Sequence, residues 1–224
     1  MTPVVRTLVS SSAGVVFFAA VLFVPAGTLN YWQAWLFLAV FMVTTAAPSV
    51  SLAVRHPDAL ARRMKAGPAA ETRPAQRVII TLTVGLVLGT IVLSALDHRF
   101  GWSAVPVWLV LVGATLVAVG LGIAQLVIVQ NHYAAATVTV EAGQTVVSTG
   151  LYALVRHPMY TGTVLMMIGT PPALDSLWGL LGVAASVPVI VARILDEEKM
   201  LTAELPGYRE YARQVRYRLV PHLW

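Results

Sequence analysis

Four stretches of this chain contain no charged residue and are long enough to decide its class: Leu8–Val24, Trp32–Val54, Val78–Leu96 and Val105–Val129. About 20 apolar residues cross the hydrocarbon core of a bilayer. In lipid the backbone must satisfy its own hydrogen bonds, which leaves helices or closed barrels. The period-two alternation of a barrel strand is absent, so these stretches read as transmembrane helices. Composition agrees. Of the 224 residues, 58% are hydrophobic and 11% charged, against about 25% charged in a soluble domain. A soluble globule built from this chain would lack the polar surface to cover itself.

A fifth apolar region differs. Met159–Leu174 is uncharged but carries Pro171-Pro172, and Leu177–Ala192 follows after Asp175-Ser176. Each piece is slightly short for a span. They read as a helical hairpin with its corner at the two prolines, or as a re-entrant pair that never crosses. The first stretch, Leu8–Val24, is longer than the apolar region of a cleaved signal and reads as a retained span.

The basic residues set the orientation. With the N-terminus in the cytoplasm, Arg55–Arg77, Gln130–His157 and Arg193–Trp224 lie inside. Those segments and the N-terminus hold 14 of the 15 Lys and Arg residues; Arg99 alone lies outside. This is the positive-inside pattern, and Trp32 and Trp102 fall at the outer boundary where interfacial aromatics belong. The expected fold is an all-α, polytopic transmembrane helical bundle of about six spans. The last two form the hairpin, a cytoplasmic C-terminal helical segment follows, and both termini are inside. An inner-membrane, multi-pass location with a cytoplasmic active site follows. Residues 1–129 would be four N-terminal transmembrane helices with a basic loop at 55–77. Residues 130–224 would be the catalytic region. The net charge of +5 is then a membrane signature rather than a nucleic-acid one, since no basic helix or RNA-binding motif accompanies it. The loop 55–77 reads as a topology determinant held by anionic lipid heads.

Chemistry concentrates in two polar segments flanking the hairpin. The first runs from Gly150 to Gly162 and includes Tyr152, Arg156, His157, Pro158 and Tyr160. The second carries Arg193, Glu197-Glu198, Tyr208, Tyr211 and Arg216 to Trp224. An antiparallel hairpin brings them together. Arginine holds a carboxylate by paired hydrogen bonds, a carboxylate takes an ammonium or ribose hydroxyls, and aromatic faces accept a cation. Such a pocket suits a polar, zwitterionic cofactor. Pro158 fits the first turn of a helix, and Gly162 permits close approach.

The ordered set Arg-His-Pro-x-Tyr-x-Gly (Arg156–Gly162), Glu197-Glu198, Tyr208/Tyr211 and Arg-x-Arg-x-x-Pro-x-x-Trp (Arg216–Trp224) resembles the isoprenylcysteine carboxyl methyltransferase family and the related phospholipid methyltransferases. Gln144 and Gly150-Leu151-Tyr152 fit the lead-in, and His56–Met64 is similar to loops in longer relatives. The resemblance covers roughly Gln130–Trp224. It implies S-adenosylmethionine as methyl donor, bound by Tyr152, Arg156, His157, Tyr160, Glu197 and Glu198. His157, Arg193 and Arg216 are the candidates for catalytic or acceptor contacts. It also implies a lipophilic small-molecule or lipid acceptor that would enter from the membrane side, with membrane lipids around the protein. Nothing in the sequence marks a prenylcysteine partner or names the acceptor, and the oligomeric state is open.

Methyl transfer from a sulfonium asks mainly for positioning and desolvation. A neutral amine or hydroxyl acceptor would add a base, for which His157 is the natural candidate. No close His/carboxylate ligand spacing is present, so no metal site is expected; His56, His98, His132 and His222 read as ordinary loop residues. Two other functions compete. A sterol-reductase-like enzyme using NADPH would need more cations for the extra phosphate and about twice the spans. A transporter or scaffold would place charged or strongly polar residues near the span centres, which these spans lack, Gln125 near the inner end of its span being the main exception. Finally, Gly113, Ala114, Ala118, Gly120, Gly122 and Ala124 on the fourth span face small residues of the hairpin: Gly162, Gly169, Gly179, Gly182, Ala184 and Ala185. That surface reads either as tight helix packing or as a lateral doorway for the acceptor.

Overall fold

The computed structural model of the chain describes residues 3–55, 67–131, 133–134, 137–140 and 143–224, without the side chains of residues 3–11, 47, 49 and 51–55. The stretch His56–Met64 and His132 lie outside the described residues. Seven α-helices are described: α1 Pro3–Ala26, α2 Trp32–Arg55, α3 Pro74–Phe100, α4 Val107–Gln130, α5 Pro158–Ala173, α6 Gly179–Glu204 and α7 Tyr208–Gln214. Short 3₁₀ turns stand at Pro68–Ala70 and Gly150–Ala153. No strand occurs among the described residues. Helices α3, α4 and α6 are long and apolar enough to cross a membrane, and Ser12–Ala26 and Trp32–Ala46 are shorter apolar helical stretches. Only 22%, 33% and 28% of the apolar windows of α3, α4 and α6 are buried within the protein. Their remaining apolar surface needs lipid around it.

Helix ends follow local chemistry. Pro74 opens α3 after an extended Arg73, and Gly101 closes it in the left-handed region (φ 63), its N–H donating to Asp97 O. Pro158 opens α5, as the sequence predicts. Two boundaries depart from expectation. The prolines are not a corner: Pro171 and Pro172 lie buried inside the last turn of α5, and the chain turns over residues 174–178. The carbonyls at the end of the helix are used by the turn: Leu174 N–H donates to Thr170 O and Pro171 O, and Ser176 N–H to Pro171 O. Asp175 supplies the positive φ (56) of that turn. Helix α6 also runs on past Ala192, so Arg193, Asp196, Glu197 and Glu198 stand on a helix continuous with the membrane segment. The leucine, glutamate, lysine and methionine there are good helix formers.

The α4–α5 seam is closed. A Cβ added to Gly113 would sit 2.6 Å from Ala173 N and 2.7 Å from Gly169 O; one added to Gly162 would sit 2.5 Å from Gly120 O. Backbones meet there with no room for a side chain, so the packing reading holds and the doorway reading at this seam is corrected. Gly179 and Gly182 face another partner altogether, Ser94 and Thr90 of α3. The hydrophobic core joins Leu22, Phe23, Tyr31, Phe37, Ile91 and Leu174.

At the end of the bundle where α5 passes into α6, Asp97 is wholly buried. Its carboxylate accepts from Ser103 N (2.7 Å), Ser103 Oγ (2.7 Å), Ser176 Oγ (2.6 Å) and Trp178 N (3.2 Å). Beside it His98 Nδ1 pairs with Asp175 Oδ2 at 2.9 Å and its ring stacks on Tyr31, whose hydroxyl donates to Leu174 O. His98 is therefore a clasp residue rather than an ordinary loop histidine.

Candidate active site

The two polar segments meet at the opposite end of the bundle. Helix α5 presents His157 and Tyr160 from its first turn, α6 presents Arg193, Glu197 and Glu198 from its last three turns, and the tail after α7 closes over them. Two backbone bonds fasten that tail to the start of α5: Arg156 N–H donates to Tyr217 O and His157 N–H to Arg218 O, both at 2.9 Å.

The adjacent carboxylates of Glu197 and Glu198 do different things, because successive residues on a helix point about 100° apart. Glu198 is saturated with donors. It accepts from Arg156 Nε (2.6 Å), Arg218 Nε (2.9 Å) and His157 Nε2 (3.2 Å). Arg156 spends its Nη1 on the carbonyls of Val215 and Arg216, each at 2.9 Å. The Arg218 guanidinium lies 5.2 Å over the Trp224 ring. This cluster locks the tail to the helices. A carboxylate only accepts, so His157 Nε2 carries the proton and Nδ1 is the ring's proton acceptor. Glu197 instead faces open space, with one oxygen taking the Tyr160 hydroxyl proton at 2.6 Å.

That open space is a cleft that opens to solvent, with an empty volume of about 850 Å³ counted to its mouth. Tyr152, Arg156, His157, Tyr160, Arg193 and Glu197 all line it. Of the residues predicted from sequence, Glu198 and Arg216 do not. Glu198 stands behind the wall. Arg216 has an exposed side chain and contributes only its carbonyl. The sequence reading did not single out Arg218, which pairs with Glu198 outside the cleft lining, or Asn131, whose Nδ2 donates to Tyr152 Oη at 3.1 Å. It also missed Glu71 and Gln76 beneath Arg193. The alternation in Arg216-Tyr217-Arg218 gives no clue to which arginine turns inward; the backbone pairing with residues 156–157 decides it. Tyr208 and Tyr211, read as possible interfacial anchors, are buried in the cleft wall.

The walls fit a cofactor with a charged end and a flat ring. One buried polar atom is unsatisfied there: Tyr208 Oη has no hydrogen-bond partner among the described residues, although Tyr208 is 5% exposed. Leaving a hydroxyl in that state costs about 1–3 kcal/mol, which a ligand in the cleft would recover. Burial, and after it the charge of Glu198, pushes the Tyr208 phenol above the ordinary tyrosine range, so it stays a neutral donor. Burial does the same to Tyr152 and Tyr211. Tyr211 Oη donates to Tyr152 O at 2.8 Å and so ties α7 to the 3₁₀ turn. Met200, Leu201 and Leu205 give an apolar floor. No group of His and carboxylates that could hold a metal occurs among the described residues.

A comparison with curated proteins finds no match. A comparison with protein families finds one: residues 108–208 match the family described as phospholipid methyltransferase. That stretch contains nearly all of α4, the whole of α5 and α6, and most of the cleft wall. Over residues 108–208 this chain is similar to the phospholipid methyltransferase family.

Proposed function

We propose that this protein is an S-adenosylmethionine-dependent methyltransferase of the cytoplasmic membrane that methylates a lipophilic acceptor. The observation that carries the reading is the cleft itself: an ionic, aromatic-walled pocket at the end of apolar helices, with an orphaned tyrosine hydroxyl inside, built from the family's own region. Bound S-adenosylmethionine supplies a methyl group already activated on a sulfonium. The chain's residues hold, orient and exclude water. Glu197 offers its carboxylate to an ammonium or to ribose hydroxyls. The Tyr208 hydroxyl and the Arg156 and Arg193 guanidiniums would hold its carboxylate, and the rings of Tyr152 and Tyr160 would offer their faces to the cation. His157 Nδ1 is the proton acceptor if the acceptor is a neutral amine or hydroxyl.

The acceptor's apolar part has a place of its own. Phe18, Phe37, Phe41, Met166, Met167 and Val183 line a second cleft of about 590 Å³ among α1, α2, α3, α5 and α6. Its two threonines, Thr90 and Thr170, bond to carbonyls of their own helices, so its walls ask nothing polar of an occupant. Six spans with both termini inside, α5 and α6 forming the final hairpin, put the first cleft at the cytoplasmic surface and the second within the bilayer. In this arrangement 130–224 carries the chemistry and 1–129 mainly supports it. Calorimetry on the purified protein tests the reading. S-adenosylhomocysteine is expected to bind and NADPH not; the reverse result refutes it.

A further inference from the structure

The family's region ends short of one part of the site. Beneath the cleft, Arg193 is 8% exposed, Glu71 2% and Gln76 0%. Glu71 and Gln76 belong to the N-terminal half, outside residues 108–208. They stand where the sequence predicts a lipid-facing basic loop. Arg193 donates from Nη1 to Gln76 Oε1 at 3.0 Å and from Nε to Tyr160 Oη at 2.8 Å. Glu71 Oε1 lies 3.5 Å from Arg193 Nη1 and Nη2 and supplies the countercharge. On its other side Gln76 donates from Nε2 to Asp196 Oδ2 at 2.5 Å, and Arg73 Nη2 donates to Asp196 Oδ1 at 2.9 Å.

Every bond in this chain has a forced direction. A guanidinium only donates, so Tyr160 Oη accepts from Arg193 and must send its own proton to Glu197. A carboxylate only accepts, so the Gln76 amide must turn its nitrogen to Asp196 and its oxygen to Arg193. Gln76 is thus a neutral two-sided connector between a buried cation and a half-buried anion, and an apolar residue in its place would take one hydrogen bond from each. Downstream of it the Glu197 carboxylate is held in one orientation, with one oxygen taken by Tyr160. We propose that Gln76 is a positioning residue of the active site: from outside the family's region it fixes Arg193, through Arg193 the Tyr160 hydroxyl, and through that the Glu197 carboxylate facing the cleft.

This inference rests on the reading of the cleft as the cofactor site, and the experiment separates the two. Affinity for S-adenosylhomocysteine is measured by calorimetry on the wild type, Gln76→Met, Tyr160→Phe and the double variant, with thermal unfolding alongside. No binding by the wild type refutes the reading of the cleft itself. Given wild-type binding, Gln76→Met is expected to weaken it about ten-fold, the scale of a lost charge-assisted bond. The double variant is expected to bind no more weakly than Tyr160→Phe alone, because the path from Gln76 to Glu197 runs through that hydroxyl. Unchanged affinity in Gln76→Met, or losses that multiply in the double variant, overturns the proposal. Should Gln76→Met fail to fold, the exchange Gln76→Glu with Asp196→Asn decides. It keeps one amide and one carboxylate between Arg193 and Arg73 with the chain reversed. Binding within about three-fold of wild type supports the proposal; loss of binding or of the fold in the exchange overturns it.

Discussion

Removing the Glu198 carboxylate should unfasten the C-terminal tail before it affects any ligand. Three donors converge on this group, two of them guanidiniums, and Arg156 and His157 have side chains only 7% and 4% exposed. Truncating one partner of a buried pair costs about 3–5 kcal/mol, because the other charge stays buried. Here the lower end applies. Arg156 keeps the carbonyls of Val215 and Arg216, and Arg218, at 28% exposure, can turn to water. We therefore expect Glu198→Ala to cost about 3 kcal/mol of stability, and Glu198→Gln to cost less, since an amide oxygen still accepts from one guanidinium. The assay is thermal unfolding in detergent together with trypsin cleavage at Arg216 and Arg218, which should accelerate as the tail loosens. Glu197→Ala is the comparison: its carboxylate meets Tyr160 and open space, so it should lose ligand affinity with a smaller loss of stability. If Glu198→Ala leaves unfolding and proteolysis unchanged and abolishes S-adenosylhomocysteine binding, then Glu198 touches the ligand and the division between the two glutamates is wrong.

Three further outcomes follow from other parts of the molecule. Tyr208→Phe removes the orphaned hydroxyl, so the ligand-free protein should be as stable or slightly more so, while S-adenosylhomocysteine affinity falls about two- to ten-fold by calorimetry. Gly120→Leu should abolish a folded, monodisperse protein by size-exclusion chromatography, because its Cβ would meet the Gly162 carbonyl and Met166; a normal profile would mean the α4–α5 seam is looser than described. Asp97→Asn turns an amide NH₂ toward donors and should cost about 1–3 kcal/mol in thermal unfolding without changing the affinity of the protein that remains folded.

The sequence shows the membrane class and the location of the site, because both depend on features one residue type can carry. An uncharged run such as Val78–Leu96 has no alternative to a span-forming helix. Arg156, His157 and Glu197 stand at the ends of apolar stretches where only one end of the bundle can receive them. What it does not show are choices made by side-chain direction. Glu197 and Glu198 are the same residue type in adjacent positions, and only the rotation of α6 separates the one that lines the cleft from the one behind it. Arg216 and Arg218 differ by two positions in a non-helical tail, and the backbone pairing with Arg156 and His157 selects the second. Gln76 carries no signal at all: a glutamine near the start of an apolar run reads as a boundary residue until Arg193 and Asp196 are seen on either side of it. Asp97 likewise reads as the first residue of a short loop, whereas four donors hold it wholly buried.

The two polar clusters at opposite ends of α6 explain each other. A helix of 26 residues extends about 39 Å at 1.5 Å per residue, and a small rotation of it would move Glu197 out of the cleft. Apolar contacts with lipid resist rotation poorly, since lipid is as good a neighbour for one face as for another. Directional bonds do resist it. At one end Asp97 accepts from Trp178 N–H and Ser176 Oγ just before α6 begins. At the other, Arg193, Asp196 and Glu198 are tied to three separate parts of the chain: α3, the segment before it, and the tail. Between them, Gly179 and Gly182 bring α6 hard against Ser94 and Thr90. The helix is thus pinned in azimuth at both ends and in distance near one. Much of what pins it comes from α3, before the family's region begins at residue 108. Residues 108–208 supply most of the groups that line the cleft, but the directional bonds that hold α6 in place draw on α3 and the segment before it, which precede that stretch.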